Sequence, residues 1–338
     1  MDALKLRHFT AADVPANALE GETLAVIGYG HLGRSIALNL RDAGYAPLIG
    51  NIEDAYARRA REEHFTVLPI ADAIAQSTLA FILIADEIIP TVFEKEIRPA
   101  LTPKSGIVFA SGYTLAYDLI RPPEGVDVLM LAPRMGGEEI RERFLRGEGF
   151  ISFLDVVQDV SGRGWQRLLG LAQAVGALRP VSFALPLRQE ADLDLFVEQT
   201  LGALIGLAIM SLFAIGTEKG IPPEALILEM YMSGEMETVF RTFRERGFTH
   251  SAYQHGNIAM YGGYLRLMEF MRTGLPREFQ RIWEEIHSGH FAHQYQRAME
   301  EETPLMAQAR SLADGDHPLG RTEDALRELL RRLAGETS

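Results

Sequence analysis

The chain contains no cysteine. That absence excludes disulfides, thiolate metal sites and cysteine nucleophiles, and it leaves the cytoplasm as the expected compartment. Basic residues are in deficit: 33 Lys and Arg stand against 46 Asp and Glu, a formal net charge of −13. A nucleic-acid backbone would meet repulsion, so such a partner is disfavoured, and the acidic surplus reads as a solvated surface. Long apolar runs are scarce too. The greasiest region, 201–215, is interrupted by Gly202 and Gly206, and the opening MDALKLRHFTAAD lacks the apolar core of a signal peptide. No membrane span is expected. What is present is a chain of 338 residues, 47% hydrophobic and 23% charged, long enough to bury a sizeable core and to form two domains.

The most informative stretch is LAVIGYGHLGRSIALNLRDAGYAPLIGN, residues 24–51. A buried-strand run, Leu24 to Ile27, flows into Gly28-Tyr29-Gly30-His31-Leu32-Gly33. A helical pattern follows, then a second apolar run. Strand, glycine turn, helix, strand is the context that gives a GxGxxG its meaning. Gly28 permits the tight turn, Gly30 lets backbone approach a pyrophosphate, and Gly33 lets helix and strand pack closely. The helix start offers unpaired N–H groups to the phosphates. A bound dinucleotide is the expectation.

Apolar runs recur at 24–27, 47–49, 66–69, 79–85, 106–110, 127–132 and 150–157, alternating with amphipathic stretches. That alternation predicts a doubly wound, mainly parallel α/β sheet. After Pro186 helical periodicity takes over, at 194–219, 223–246, 257–273, 277–287 and 289–301, with a last amphipathic helix at 321–333. The expected division is a Rossmann domain over 1–183 and an all-helical domain over 184–330.

Carboxyl ends of strands line the ligand crevice of such a sheet. Asn51 therefore faces the adenosine ribose, followed by Glu53 and Asp54, while Arg58 and Arg59 come later. Two acids ahead of any base favour a free 2′-hydroxyl, hence NAD(H) over NADP(H); capping of the next helix is the alternative use of those acids. Ile84, Ala85, Asp86, Ser111, Gly112, Pro133 and Arg134 fall at later strand ends and are expected around the nicotinamide, unless each is a simple turn residue. In the helical half, Asp194 and Glu198 stand four apart among Leu193, Leu195, Phe196 and Val197. Like charges at that spacing repel unless a cation sits between, and hard oxygen ligands suit Mg²⁺; an exposed acidic face is the plainer alternative. Glu229, in an apolar setting, Glu235 and Glu237 form a later set. The histidines, His290 and His293 included, show no clean metal-ligand spacing.

These segments together resemble the ketol-acid reductoisomerase (acetohydroxyacid isomeroreductase) family in its short form. The resemblance runs from about residue 20 to residue 330, through VIGYG, ALNLRDAG, ILIADEI, KEIRPAL, VDVLMLAP, VVQDVSG, DLDLFVEQ, HSGHFAHQYQ and DGDHPLG. It implies a Rossmann domain, a knotted helical domain that dimerises, and two Mg²⁺ ions. It also implies an alkyl migration followed by reduction of the new ketone by a nicotinamide. Asp194 and Glu198 match the family's metal-binding aspartate and glutamate. Several positions depart. Ser111 stands where the family has histidine before the glycine, and Arg134 stands where it has lysine after the alanine-proline pair. The second carboxylate pair is incomplete: one register puts Glu229 and Ser233 on it, another Tyr231 and Glu235. Tyr253-Gln254-His255-Gly256-Asn257 replaces a serine-rich substrate loop.

The resulting expectation is a diverged NAD(P)H-dependent oxidoreductase acting with Mg²⁺ on a small 2-oxo or 2-hydroxy-3-oxo acid, as a homodimer or higher oligomer, without nucleic acid or membrane. Arg134 would hold a carboxylate or polarise the carbonyl, Ser111 would contact nicotinamide or substrate, and Glu235 or Glu229 would orient the substrate. The rivals are a metal-independent carbonyl or imine reductase and a catalytically silent dinucleotide-binding protein.

Overall fold

The computed structural model describes residues 6–251, 256–301, 303–313 and 317–334. It divides into two compact units between Leu193 and Asp194.

The first unit is built on a nine-stranded sheet: β1 (His8–Phe9), β2 (Leu24–Ile27), β3 (Leu48–Gly50), β4 (Val67–Leu68), β5 (Leu79–Ile82), β6 (Gly106–Phe109), β7 (Asp127–Pro133), β8 (Ser152–Gln158) and β9 (Ser182–Ala184). Their spatial order is β1-β9-β8-β7-β6-β5-β2-β3-β4. From β4 to β7 all neighbours are parallel; β8 runs antiparallel to β7. β2, β5 and β6 are buried at every position, as central parallel strands covered on both faces must be. Alternation divides them between two cores. Leu24, Val26, Leu79 and Phe81 point into one, whereas Ala25, Ile27, Ala80 and Ile82 point into the other. Each expected apolar run is a strand. β1 and β9 were not foreseen, because two or three residues carry no readable period.

The chain leaves β2 for β3 and β4 on one side, then returns to place β5 on the other. This reversal is the topological switch point, where a crevice opens beyond the carboxyl ends of the strands. Two helices border it: α1 (His31–Asp42) after β2 and α2 (Ala55–Glu62) after β3.

At the opposite, amino end of the sheet, Asp127 opens β7 with no exposed surface. Arg167 Nη1 donates to it at 2.7 Å, and Arg167 Nε donates to Glu22 at 2.9 Å. Burial alone would push the Asp127 carboxyl up. Hydrogen bonds from the Ser161 hydroxyl and N–H, Arg167 and the Val160 N–H outweigh it and hold the carboxyl below its ordinary value.

The second unit is helical. The helix Leu187–Val197 starts in the first unit and continues through a wider π turn, Glu198–Gly202, into Ala203–Glu218. Gly202 and Gly206 do not interrupt it, since glycine costs a helix only about 1 kcal/mol. The resulting helix, Leu187–Glu218, is long and apolar enough to cross a membrane by length and composition, and only 11% of its most apolar window is buried within the chain. This corrects the expectation that no segment reaches that length. Helices Pro223–Ile227, Glu235–Arg246, Asn257–Arg272, Leu275–His287 and His290–Glu301 follow. Pro223 and Pro276 lie in first turns, where a missing N–H is harmless. The last helix, Pro318–Ala334, joins a small core of Phe213, Ile227 and Leu326, and Tyr231 donates its hydroxyl to Glu323.

Asp127→Asn is expected to destabilise the first unit by roughly 1–3 kcal/mol, since it removes one of the two carboxylates paired with the buried Arg167 and leaves Glu22 as the other. Denaturant unfolding would measure the loss. Because the Asp127 pKa is lowered on folding, its contribution is complete above the unfolded carboxylate pKa and fades as pH falls through the folded value. The acid-side decline in stability should therefore be shallower in the variant.

Candidate active site

Gly28 follows β2 with φ 95°, and its N–H donates to the Gly50 carbonyl at 2.8 Å. A Cβ on Gly33 would lie 2.0 Å from the Gly28 carbonyl oxygen, so helix and turn meet there only through glycine. A Cβ on Gly30 would meet nothing within 4 Å. Gly30 is also the N-cap of α1. Open space over a helix N-terminus is where a pyrophosphate fits. Tyr29 turns inward: its side chain is buried, its hydroxyl donates to Glu63 at 2.6 Å, and its N–H donates to Asn51 Oδ1 at 3.1 Å. Burial first, then the Glu63 hydrogen bond and charge, push the Tyr29 phenol up, so it stays neutral. Glu63 also receives Arg34 Nε at 2.9 Å. The glycine turn is thus tied to α1 and to the end of α2. His31 lies on the exposed rim, with Nδ1 3.0 Å from Glu138.

Beyond the ends of β3 and β4, Asn51, Ile52, Glu53, Arg61, Val67, Leu68, Pro69, Ile70 and Glu96 line a cavity of ≈ 380 Å³. The two acids part company here. Asp54 caps α2, accepting from the Ala57 N–H at 2.8 Å, whereas Glu53 forms a two-bond pair with Arg61 at 2.8 and 2.7 Å. Asn51 serves the loop itself, accepting from Tyr29 and donating to Asp54.

Beyond the ends of β5 and β6, Leu32, Ile84, Ala85, Asp86, Ile89, Phe109 and Ser111 line a second cavity, of ≈ 280 Å³. Of the expected strand-end residues, Ile84, Ala85, Asp86 and Ser111 line this cavity beside Leu32 of α1, whereas Gly112, Pro133 and Arg134 are not among its lining. A larger cleft of ≈ 600 Å³ borders the far end of α1, beside Asp42 and Ala43, away from these strand ends. The Ser111 hydroxyl accepts from the Tyr113 N–H at 3.2 Å. Arg134, just past Pro133 and β7, stacks over Phe153 at 5.1 Å and donates Nη2 to Glu190 at 2.6 Å. Glu190 has no exposed surface and also accepts from the Gly112 N–H at 2.7 Å. A Cβ on Gly112 would sit 2.6 Å from the Leu187 carbonyl oxygen, so only glycine admits this helix. Asp192, also buried, accepts from the Tyr117 hydroxyl at 3.0 Å and pairs with Arg188 at 3.2 Å. Sequence reasoning missed Glu190 and Asp192. One signal was available: Glu190 is four residues before Asp194, which is four before Glu198, so the three share a helix face.

In the second unit, Asp194 is half-buried, and Glu198 opens the π turn. Interruptions of this kind frequently mark functional positions. Glu229 lies in a second π turn, Leu228–Met232, and is exposed, in contrast to the buried setting its apolar neighbours suggested. Glu235 begins the next helix beyond Gly234, which has φ 84°. Among the described residues no three His, Asp or Glu side chains gather as a metal cluster. The Asp194 and Glu198 pair nonetheless fits Mg²⁺, which commonly takes one or two carboxylates and keeps its waters. Tyr253, Gln254 and His255 lie outside the described residues.

A doubly wound sheet with a glycine turn at its switch point and a cavity on either side is the frame of a pyridine-nucleotide-dependent oxidoreductase. Comparison with known proteins narrows this. Residues 18–180 match the NADPH-binding domain model of acetohydroxy acid isomeroreductase, and residues 187–332 match the ketol-acid reductoisomerase C-terminal domain. The chain belongs to the ketol-acid reductoisomerase family. It is 36% identical to the "Putative ketol-acid reductoisomerase 3" of Saccharolobus solfataricus, over 97% of this chain and 99% of that protein. It is 34% identical to the ketol-acid reductoisomerase (NADP(+)) of Methanosphaera stadtmanae, over 84% and 86%. Among solved structures, an NADH-preferring ketol-acid reductoisomerase from an uncultured archean superposes with a TM-score of 0.89 at 28% identity, covering 96% of this chain and 99% of that one.

The glycines make a contrast that can be measured. Gly30→Ala should keep its unfolding free energy within about 0.5 kcal/mol yet weaken NADH binding about tenfold or more, the methyl group occupying phosphate space. Gly33→Ala should lower both stability and binding. Thermal melts paired with NADH fluorescence titration distinguish the two; a Gly30→Ala protein that binds NADH normally contradicts the assignment of the phosphate seat.

Proposed function

We propose that the protein is an NADH-preferring reductase of this family, acting on a small 2-oxo or 2-hydroxy-3-oxo acid with Mg²⁺ held by Asp194 and Glu198. The observation that carries the reading is the convergence of Ser111 and the Glu190-aligned Arg134 at strand ends beside the glycine turn. When bound, reduced nicotinamide supplies hydride and Mg²⁺ supplies Lewis-acid polarisation. Arg134 contributes a fixed positive charge, aimed by Glu190 and Phe153, that suits a substrate carboxylate or a polarised carbonyl oxygen. It cannot lend a proton as lysine can. Ser111 contacts the nicotinamide or the substrate, and Glu235 or Glu229 orients the substrate. The NADH preference is supported by Glu53 at the ribose end of the crevice and by the likeness to an NADH-preferring relative.

The exposed apolar side chains Val197, Leu201, Ile205, Leu207, Leu212 and Ile215 along one helix support a homodimer whose second copy covers them, in the cytoplasm. Exposed patches of this size mark association surfaces. Sedimentation should give at least twice 37.6 kDa; a detergent-requiring monomer would refute the dimer.

NADH oxidation should be assayed with 2-acetolactate and with 3-hydroxy-3-methyl-2-oxobutanoate. Turnover of both shows that the alkyl migration is retained, and turnover of the second alone shows a reductase without it. Asp194→Asn is expected to lower kcat/KM with Mg²⁺ by about a hundredfold or more, with KM for NADH little changed. The absence of a three-ligand cluster among the described residues favours a second reading, a metal-independent carbonyl or imine reductase. Activity indifferent to EDTA and to Asp194→Asn would select it.

A further inference from the structure

The adenosine cavity carries an ion pair that the reduction does not use. Glu53 follows β3, and Arg61 lies near the end of α2. Arg61 Nη1 and Nη2 reach Glu53 Oε1 and Oε2 at 2.8 and 2.7 Å. Both side chains line the cavity, and among the described residues Arg61 is the one basic residue that does. Of the nearby arginines, Arg34 holds Glu63 and Arg59 lies 3.8 Å from the same carboxylate, while Arg58 acts on Glu53 by charge alone, without the hydrogen bonds that Arg61 makes to it. The rest of the wall is suited to a planar base, with Ile52 63% exposed beside Val67, Leu68, Pro69 and Ile70. Glu96 adds a second negative charge to the lining.

A guanidinium fork matches a carboxylate or a phosphate equally well in geometry, but it serves one at a time. We propose that Arg61 is a latent anchor for a nucleotide 2′-phosphate, kept out of use by its bidentate pairing with Glu53. The inference rests on the NADH reading above and supplies its physical cause. An exposed ion pair is weak, so a phosphate could compete for Arg61. Doing so would strand the Glu53 carboxylate, charged and unpaired, beside a dianion. Glu53 therefore excludes the phosphate twice over: it fills the donors that would bind it and repels the charge. A 2′-hydroxyl suffers neither penalty and can donate to the same carboxylate. Asp54 takes no part, because it is committed to capping α2.

The test is a double-mutant cycle read by calorimetric binding of ADP and 2′,5′-ADP to the intact protein, with circular dichroism to confirm folding. The quantity read is the ratio of the two affinities. Glu53→Gln should shift that ratio toward 2′,5′-ADP by about tenfold or more, and the same substitution in an Arg61→Ala background should shift it far less, by the relief of repulsion alone. NADH and NADPH titrations should move in parallel. An unchanged ratio in Glu53→Gln, or an equal gain from Glu53→Gln with and without Arg61, overturns the role of Arg61. The wild-type ratio is a separate reading. A wild type that already favours 2′,5′-ADP would refute the NADH preference, while the cycle would still report whether Arg61 and Glu53 are coupled.

Discussion

Glu190 has lost all contact with water, and a carboxylate in that position is tolerable only where donors replace the water it gave up. Arg134 and the Gly112 N–H do so. Each donor comes from a different strand end, β7 and β6, while the carboxylate comes from the helix that begins at Leu187. Three chain segments separated widely in sequence are therefore fixed to one another by one charge. Gly112 follows from the same constraint, since a Cβ there would collide with the Leu187 carbonyl. Asp192, with Tyr117 and Arg188, repeats the fastening one helical step further on.

The glycine turn is secured by a second network of similar logic. Tyr29 sits at a position of the fingerprint that tolerates any residue, yet here its phenol is buried against Phe65 and hydrogen-bonded to Glu63. Glu63 in turn holds Arg34, within α1. The loop that must accept phosphate is thereby held in shape from behind, leaving its open face at Gly30. Preorganisation of this kind lets binding energy go into the ligand and not into ordering the loop.

Family resemblance implies histidine and lysine where this chain has Ser111 and Arg134. The lysine position keeps its charge, and the structure shows what it pairs with: the buried Glu190, on the helix that begins at Leu187. Arginine satisfies such an acid through a planar fork while remaining protonated at all working pH values. The exchange therefore preserves electrostatic orientation and gives up proton transfer from that side chain. The glycine turn keeps the family spacing, and the departures at Ser111 and Arg134 fall just beyond the carboxyl ends of β6 and β7.

Much of the architecture was legible in residue order alone, because it is encoded locally. Strand burial shows as contiguous apolar runs, helix faces as a period of 3.6, and the nucleotide seat as a glycine spacing that only backbone geometry can require. The runs at 24–27, 79–85 and 127–132 needed no tertiary information, and neither did Pro223 and Pro276 at helix starts. β1 and β9 escaped notice because they are too short to carry a period. The helical stretch 194–219 was read through both of its glycines; its backward extension to Leu187 was missed, because the stretch directly after Pro186 carries too few residues to show a period of its own. What tertiary structure alone decided is the employment of each charged side chain. Glu53 and Asp54 are adjacent and chemically alike, yet one faces Arg61 across the cavity rim and the other closes a helix. Arg134 finds Glu190 across 56 residues of chain. Sequence fixes which charges exist; a carboxylate's role depends on which donor the folded backbone carries to within 3 Å of it, and that distance is a property of the whole sheet.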